Sequence, residues 1–394
     1  MSRPIAFLRN LQTKRFRNSL TLNRALQNYG TNTSLPPHPR ILGIESSCDD
    51  TAAAVVAGDG SILSEVIRHQ HKIHEPSGGI VPGIAAEHHL INMPGVVSQA
   101  IEQSGLTIED IDAIAVTRGP GLPASLSVCI NAAKTLAAVT KKPLIGVHHM
   151  EAHALTVRMS SSVPFPFVCL LISGGHTMSL LVRDVNDYKL LGSTRDDSVG
   201  EAFDKVARML KIPWLHGRGG GPGPALEQLA LKGDPDRYQL PVPMSKRDTG
   251  QSLDFSFSGL KTAVAKYIDL GQVSLESEQD CADMAASFQY TAIKHLCSKL
   301  SKAIAAAKDV GSSPTALVVS GGVASNQQVR LRIGDTASKY GLLLVCPPPH
   351  LCTDNGVMIA WAGIERFRKG LFDPYTIEFR QRWQLEDLKD MYST

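Results

Sequence analysis

No apolar run in this chain approaches the roughly 20 residues that a membrane-spanning helix requires, so no helical span is expected. No Cys-x-x-C pair occurs among Cys48, Cys129, Cys169, Cys281, Cys297, Cys346 and Cys352. Their odd number and mostly apolar neighbours argue against a disulfide framework or a cysteine-held zinc, and point to a reducing compartment. No Gly-Lys-Ser/Thr follows any glycine-rich turn, which excludes a Walker P-loop. Aromatic residues are only 6% of the chain, and acidic residues are missing from the first 38 positions altogether.

That missing acid divides the molecule. Residues 1–38 hold Arg3, Arg9, Lys14, Arg15, Arg17 and Arg24; without these six, 34 basic residues face 37 acidic ones. A segment rich in Arg, Ser and Asn, free of acid and dotted with Leu, Ile and Phe, has the composition of an organelle transit peptide. The other reading is a basic arm that binds nucleic acid. The body that follows is slightly acidic, so any contact with a polyanion must come from a local patch. Its 394 residues exceed the usual size of one domain and fit a large two-lobed unit.

After Pro36-Pro37-His38-Pro39 an apolar segment, Arg40 to Glu45, reads as a strand that turns at Ser46 to Thr51 and returns over Ala52 to Ala57. The pattern recurs at Phe167 to Ile172, with a Ser173-Gly174-Gly175-His176-Thr177 tip and a return over Met178 to Val182. One architecture built twice accounts for both. Elsewhere strands are expected at 111–116, 142–147, 316–319 and 342–345. Helices are expected at 124–139, 280–308, 326–340 and 355–369, with helical character over 154–159. This alternation implies an α/β fold with a sheet in each half. Residues 214–224, with five glycines, read as a flexible loop.

Three glycine-rich turns can aim backbone amides at a phosphate: Ser173 to Thr177, Gly219 to Gly223, and Ser320 to Asn326. His149 and His153, four apart, share one face of a helix and can grip one metal ion. Glu151 stands about 200° around that helix from His149, so the segment is not the helix of a metalloprotease. Asp354, after a strand and three prolines, is the best third ligand; as an alternative or in addition it could cap the next helix. The densest basic cluster is Lys205, Arg208, Lys211, His216 and Arg218, with Trp214 among them. It reads either as a solvated face or as a contact for RNA.

Together the segments Ile44 to Thr51, Gly119 to Leu122, His149 to His153, Ser173 to Thr177, Gly200 to Lys205, Asp254 to Thr262, Ser320 to Asn326 and Cys352 to Gly356 resemble the tRNA threonylcarbamoyladenosine synthase family, once called glycoproteases. With its basic leader the chain looks most like the mitochondrial branch. The resemblance covers residues 40–370 and implies a two-lobed actin-like ATPase fold with duplicated mixed-sheet halves. The expected division is a transit peptide at 1–38, lobes at 39–160 and 161–375, and a tail at 376–394. The implied reaction moves a threonylcarbamoyl group from threonylcarbamoyl-adenylate, made by a separate synthase, to the exocyclic amine of the adenosine beside the anticodon in tRNAs that read A-starting codons. Implied too are one divalent metal ion, zinc or iron, on His149, His153 and Asp354. The adenylate falls to Leu171, Ile172, Ser173, Gly174, Gly175, Asp204, Asn326 and a glycine of the 219–223 run, taken as Gly221. The expected partners are the tRNA anticodon stem-loop and a second copy of the chain, and the expected place is the mitochondrial matrix. Gly83 and Cys129 depart from the family pattern without removing a ligand.

A mixed acyl-adenylate carries its own leaving group, so orientation and charge stabilisation matter more than a strong nucleophile. Asp49, in the first hairpin tip, is the candidate for receiving the amine's proton, and could equally position water or the metal. A kinase or a chaperone-like ATP switch on the same fold would share the phosphate loops but would not need the two histidines and the aspartate.

Overall fold

The structure, a computed structural model, describes residues 35–216, 220–309 and 311–392. The expected transit peptide lies outside them except for residues 35–38. Strands β1 (Arg40–Glu45), β2 (Thr51–Ala57), β3 (Ile62–Arg68), β4 (Ala113–Gly119) and β5 (Leu144–His148) form one sheet in the order β3-β2-β1-β4-β5. Strands β6 (Phe167–Ile172), β7 (Thr177–Asp184), β8 (Asp187–Ser193), β9 (Ala316–Ser320) and β10 (Leu343–Val345) form the other, ordered β8-β7-β6-β9-β10. Each sheet is an antiparallel meander of three strands extended by two parallel ones. The two halves are therefore one topology repeated, the duplicated α/β actin-like arrangement that the sequence implies. Strands β4, β6 and β9 are almost continuously apolar because both of their faces are covered.

Helices α1 (Pro82–Gln103) and α2 (Pro123–Thr140) pack Met93, Val96, Cys129 and Ala133 on the outer face of the first sheet. On the second sheet the outer cover is larger: α4 (Val199–Met209), α5 (Pro222–Ala230), α6 (Ser258–Asp269), α7 (Glu278–Asp309) and α8 (Gln327–Lys339). Between the sheets run α3 (His149–Leu155) and α9 (Gly356–Arg368). Here the chain departs from its sequence-based division. The α9 helix, expected in the second lobe, lies under the first sheet, where Ile359, Ala360 and Ile364 join Ile41, Ala54 and Ala115 in one apolar cluster. Two glycines permit the approach. A Cβ at Gly43 would lie 2.3 Å from the Ala360 nitrogen, and one at Gly356 would lie 2.5 Å from the Ala53 carbonyl carbon. In return α3, from the first half, turns Met150 and Ala154 toward Phe167, Cys169 and Leu171 of the second sheet.

The exchange is pinned by a buried ion pair. Arg366 on α9 donates to Glu151 on α3 at 2.8 Å, both side chains being fully buried, and the Tyr188 hydroxyl of β8 donates to the same carboxylate at 3.1 Å. Removing one partner of such a pair would strand a charge in the interior. The last segment also ties the halves: the Arg380 amide donates to the Arg118 carbonyl at 2.8 Å, while Trp383, Leu385 and Leu388 pack on the second sheet. Among the described residues no helix is long and apolar enough to cross a membrane.

Candidate active site between the lobes

His148 ends β5 and at once begins α3, its ring accepting from the Met150 amide at 3.1 Å. The short helix places His149 and His153 one turn apart, with ring centroids 4.8 Å from each other. Asp354 reaches both: its Oδ1 lies 3.4 Å from His149 Nε2 and 3.1 Å from His153 Nε2. It does not cap α9. Asn355 does so instead, accepting from the Met358 amide at 2.7 Å, which leaves the aspartate to the histidines.

Glu45, which the sequence shows only as the end of the first strand, orients His149. It ends β1 fully buried, and its Oε2 meets His149 Nδ1 at 3.2 Å while Thr117 donates to the same oxygen and the Ser47 amide to the other. The signal available in the sequence was a carboxylate closing an otherwise apolar strand. Burial alone would push Glu45 and Asp354 up, but His149 holds both down; burial alone would push His149 down, yet Asp354 and Glu45 raise it to about 10. With no metal ion, a proton on His149 thus balances two carboxylates. A divalent cation fits the same place: three ligand atoms within 4.8 Å of one another, an imidazole aimed by a carboxylate behind it, and a surplus of negative charge. Glu151 faces away from this group, held by Arg366 and Tyr188.

The glycine tip of the second hairpin lies near the histidines. His176 sits at about 4, lowered first by burial and then by the charges of His149 and His153. The tip is wired internally: the Ser173 amide donates to the His176 carbonyl at 2.8 Å, and the His176 amide to the Ser173 hydroxyl at 3.1 Å. Gly174 and Gly175 are exposed, with open space where a side chain would be. Leu171 and Ile172 bury their side chains in opposite cores, so only their backbone is offered to the cleft. Beside them Gly321, at φ +96°, comes so close that a Cβ would lie 2.5 Å from the Ile172 carbonyl oxygen.

Asp204 on α4 is half-buried and raised to about 6, by desolvation first, with Glu201 and Asp49 adding repulsion against Arg208 and a backbone hydrogen bond. The charge of Asp49 bears on Asp204, so the first tip and α4 lie near each other. The backbone bond comes from Gly223, 2.9 Å away, whereas Gly221 is the residue before α5 and pairs with Leu215 instead. The structure thus brings Gly223, rather than Gly221, onto Asp204. The expected flexible loop is shorter than 214–224, since Pro222 opens a helix, a position where its missing N–H is harmless. Asn326 caps α8 through the Val329 amide at 3.0 Å and donates to Gln289 at 2.8 Å.

The basic cluster looks different in place. Lys205 is engaged by Asp197 at 2.8 Å and Glu201 at 2.7 Å, and Arg208 donates to the Gly78 carbonyl of the first lobe. Lys211 is exposed, and Arg218 lies outside the described residues. The Asp254 to Thr262 motif proves to be scaffolding: Asp196 accepts from the Phe257 amide at 2.8 Å and from the hydroxyls of Ser256 and Ser258 at 2.6 and 2.7 Å, while Lys261 holds Asp197 at 2.7 Å. Gly83 has open space around it, and Cys129 is fully buried against the Thr117 carbonyl.

The profile of the TsaD family, tRNA N6-adenosine threonylcarbamoyltransferase, matches residues 61–361. An Arabidopsis thaliana protein named Probable tRNA N6-adenosine threonylcarbamoyltransferase, mitochondrial, is 44% identical over 395 residues, covering 95% of this chain and 81% of its own length. A tRNA N6-adenosine threonylcarbamoyltransferase of Agrobacterium fabrum is 44% identical over 362 residues, or 89% of this chain and 96% of its own. Among solved structures, T. kodakarensis HypF superposes with a TM-score of 0.56 at 15% identity, over 85% of this chain and 50% of that one, a likeness of fold alone.

Proposed function

The chain belongs to the tRNA N6-adenosine threonylcarbamoyltransferase family and is a tRNA-modifying transferase, and from that premise we propose that the cleft between its lobes carries the transfer, with threonylcarbamoyl-adenylate as donor. The observation that supports this reading most is the meeting of His149, His153 and Asp354, 201 residues apart in sequence for the last pair, beside the glycine tip at Ser173 to Thr177.

His149, His153 and Asp354 hold one divalent ion, zinc or iron, since two imidazoles and a carboxylate suit either. Bound there, such an ion supplies Lewis acidity toward a phosphate or carbamoyl oxygen. The chain's own part is placement. The exposed amides of Gly174 and Gly175 take the adenylate's phosphate, and Asp204 with Gly223 and Asn326 line the nucleotide's side. The exocyclic amine of the adenosine attacks the carbamoyl carbon; the new N–C bond forms as the C–O bond to phosphate breaks, and AMP leaves with the electron pair. Asp49, half-buried at the first tip, receives the amine's proton.

Lys211, an exposed cation two residues beyond the end of α4, belongs to the face that the anticodon stem-loop approaches. The mitochondrial name of the Arabidopsis relative and the basic leader together support a matrix location, and a second copy of the chain is the proposed partner for the assembled enzyme. Incubation with threonine, bicarbonate, ATP, tRNA and the synthase, followed by nucleoside mass spectrometry, tests the reaction. Threonylcarbamoyladenosine that depends on this chain is the expected product; ATP hydrolysis with unmodified tRNA would overturn the donor assignment.

A further inference from the structure

A second group of metal-ligating side chains lies at the other end of the first hairpin tip. Asp50 stands immediately before β2, and the β2–β3 ladder pairs Thr51 with Arg68, so the next residue along β3, His69, falls opposite Asp50. Its Nδ1 lies 2.9 Å from Asp50 Oδ1. His71 stacks on His69 with ring centroids 5.4 Å apart and planes 20° from parallel. The residue between them, Gln70, is buried and fixed: its amide nitrogen lies 3.3 Å from the Ala85 carbonyl, and its oxygen 3.1 Å from His74 Nε2. The peptide joining the two histidines is therefore held, and both rings are presented on one side of a rigid turn.

We propose that Asp50, His69 and His71 form a second metal site, one that takes a divalent ion of borderline softness such as zinc. One atom from each lies within 4.8 Å of the others, and a tetrahedral zinc with bonds of about 2.0–2.1 Å asks for separations of roughly 3.3 Å, within reach of small side-chain rotations. The donor set of two imidazoles and a carboxylate matches that of the first group without sharing a residue with it. Asp50 is 8% exposed, and Asp49 and Asp354 both bear on its charge. A cleft that gathers Glu45, Asp49, Asp50, Asp204 and Asp354 must admit a phosphate-bearing donor and a polyanionic RNA. One ion at His149 cannot neutralise it, and a second at the opposite end of the tip supplies the missing counter-charge.

The proposal does not depend on the transfer chemistry and is tested with cobalt(II) alone. Full-length chain stripped by a chelator is titrated with cobalt, following the ligand-field absorption and the bound equivalents after dialysis. Two equivalents are expected for the unaltered chain, one for His69→Ala/His71→Ala, one for His149→Ala/His153→Ala, and none for the fourfold variant. The equivalent that each double variant retains is its own control for folding. A single equivalent in the unaltered chain, or two retained by His69→Ala/His71→Ala, would overturn the second site. The milder Asp50→Asn should weaken only the equivalent that the His69/His71 variant loses; weakening of the other equivalent alone would also count against it.

Discussion

At the scale of residues, the centre of this molecule is a charge balance that changes hands. Without metal, His149 keeps a proton well above its ordinary value of 6.5, to about 10, because Asp354 and Glu45 face it from two sides. The stability that this pairing gives the metal-free protein is complete below about pH 6.5 and fades as pH rises toward 10. The lowered carboxylates act in the other direction, their share being present above about pH 4 and lost as pH falls. A cation must displace the imidazole proton, so metal affinity should rise about tenfold per pH unit through the neutral range. Calorimetry in two buffers of different ionisation enthalpy would show one proton released per ion. His149→Ala or His153→Ala should reduce transfer to background and remove that ion while the far-ultraviolet circular dichroism stays unchanged. Full metal occupancy with normal activity would contradict the site. His149, His153 and Asp354 were legible in the sequence as candidate ligands, since two histidines at helical spacing and a carboxylate after a strand are local patterns, and the structure brings the three together. Glu45 was not legible as a positioning group, because its role rests on a 3.2 Å contact across 104 residues. Which glycine of the 219–223 run bonds Asp204 could not be read either, because it turns on the position of a single backbone amide.

At the scale of elements, sequence and structure agree where an element is continuously apolar or strongly periodic. The β1–β2 and β6–β7 hairpins, the long α7 and the β9 strand lie within a few residues of expectation. The strands β3 and β8 were missed, and their burial shows why: as outer strands of their sheets they mix buried, half-buried and exposed positions, which blurs the alternation. Helix α9 is legible as a helix, but its packing on the first sheet is not, because period alone does not say which sheet a helix covers. Its placement makes two substitutions informative. Asn355→Ala removes a helix cap and should cost about 1 kcal/mol. Gly43→Ala puts a methyl group against the α9 backbone and should cost more, in the range of about 1–3 kcal/mol seen for overpacking. Chemical denaturation of the two variants should rank them in that order; equal losses would mean that α9 can shift away from the sheet at little cost.

At the scale of the whole molecule, the charge asymmetry of the sequence predicts that targeting and catalysis can be separated. A reporter carrying residues 1–38 should be delivered to mitochondria, and the chain lacking them should keep its activity with purified components. Loss of tRNA affinity on truncation would make the leader an RNA-binding arm instead. Within the body, Lys205 and Arg208 are already engaged, so the expected patch narrows. Lys211→Glu should weaken tRNA binding and lower its salt slope by about one, with no effect on binding of a non-hydrolysable adenylate analogue. An unchanged slope, read from binding at several salt concentrations, would move the RNA to another face.

The exchange of α3 and α9 between the halves also orders events in time. The first sheet is made early, yet the helix that seals its inner face follows every strand of the second sheet in the chain. Asp354 arrives 201 residues after His153, so the first metal group cannot close on a nascent chain. Cutting the polypeptide between the lobes would leave each fragment with an apolar face that only the other fragment can cover. Such a chain stays unfinished until α9 is in place, so the two halves should gain their stability together rather than one after the other.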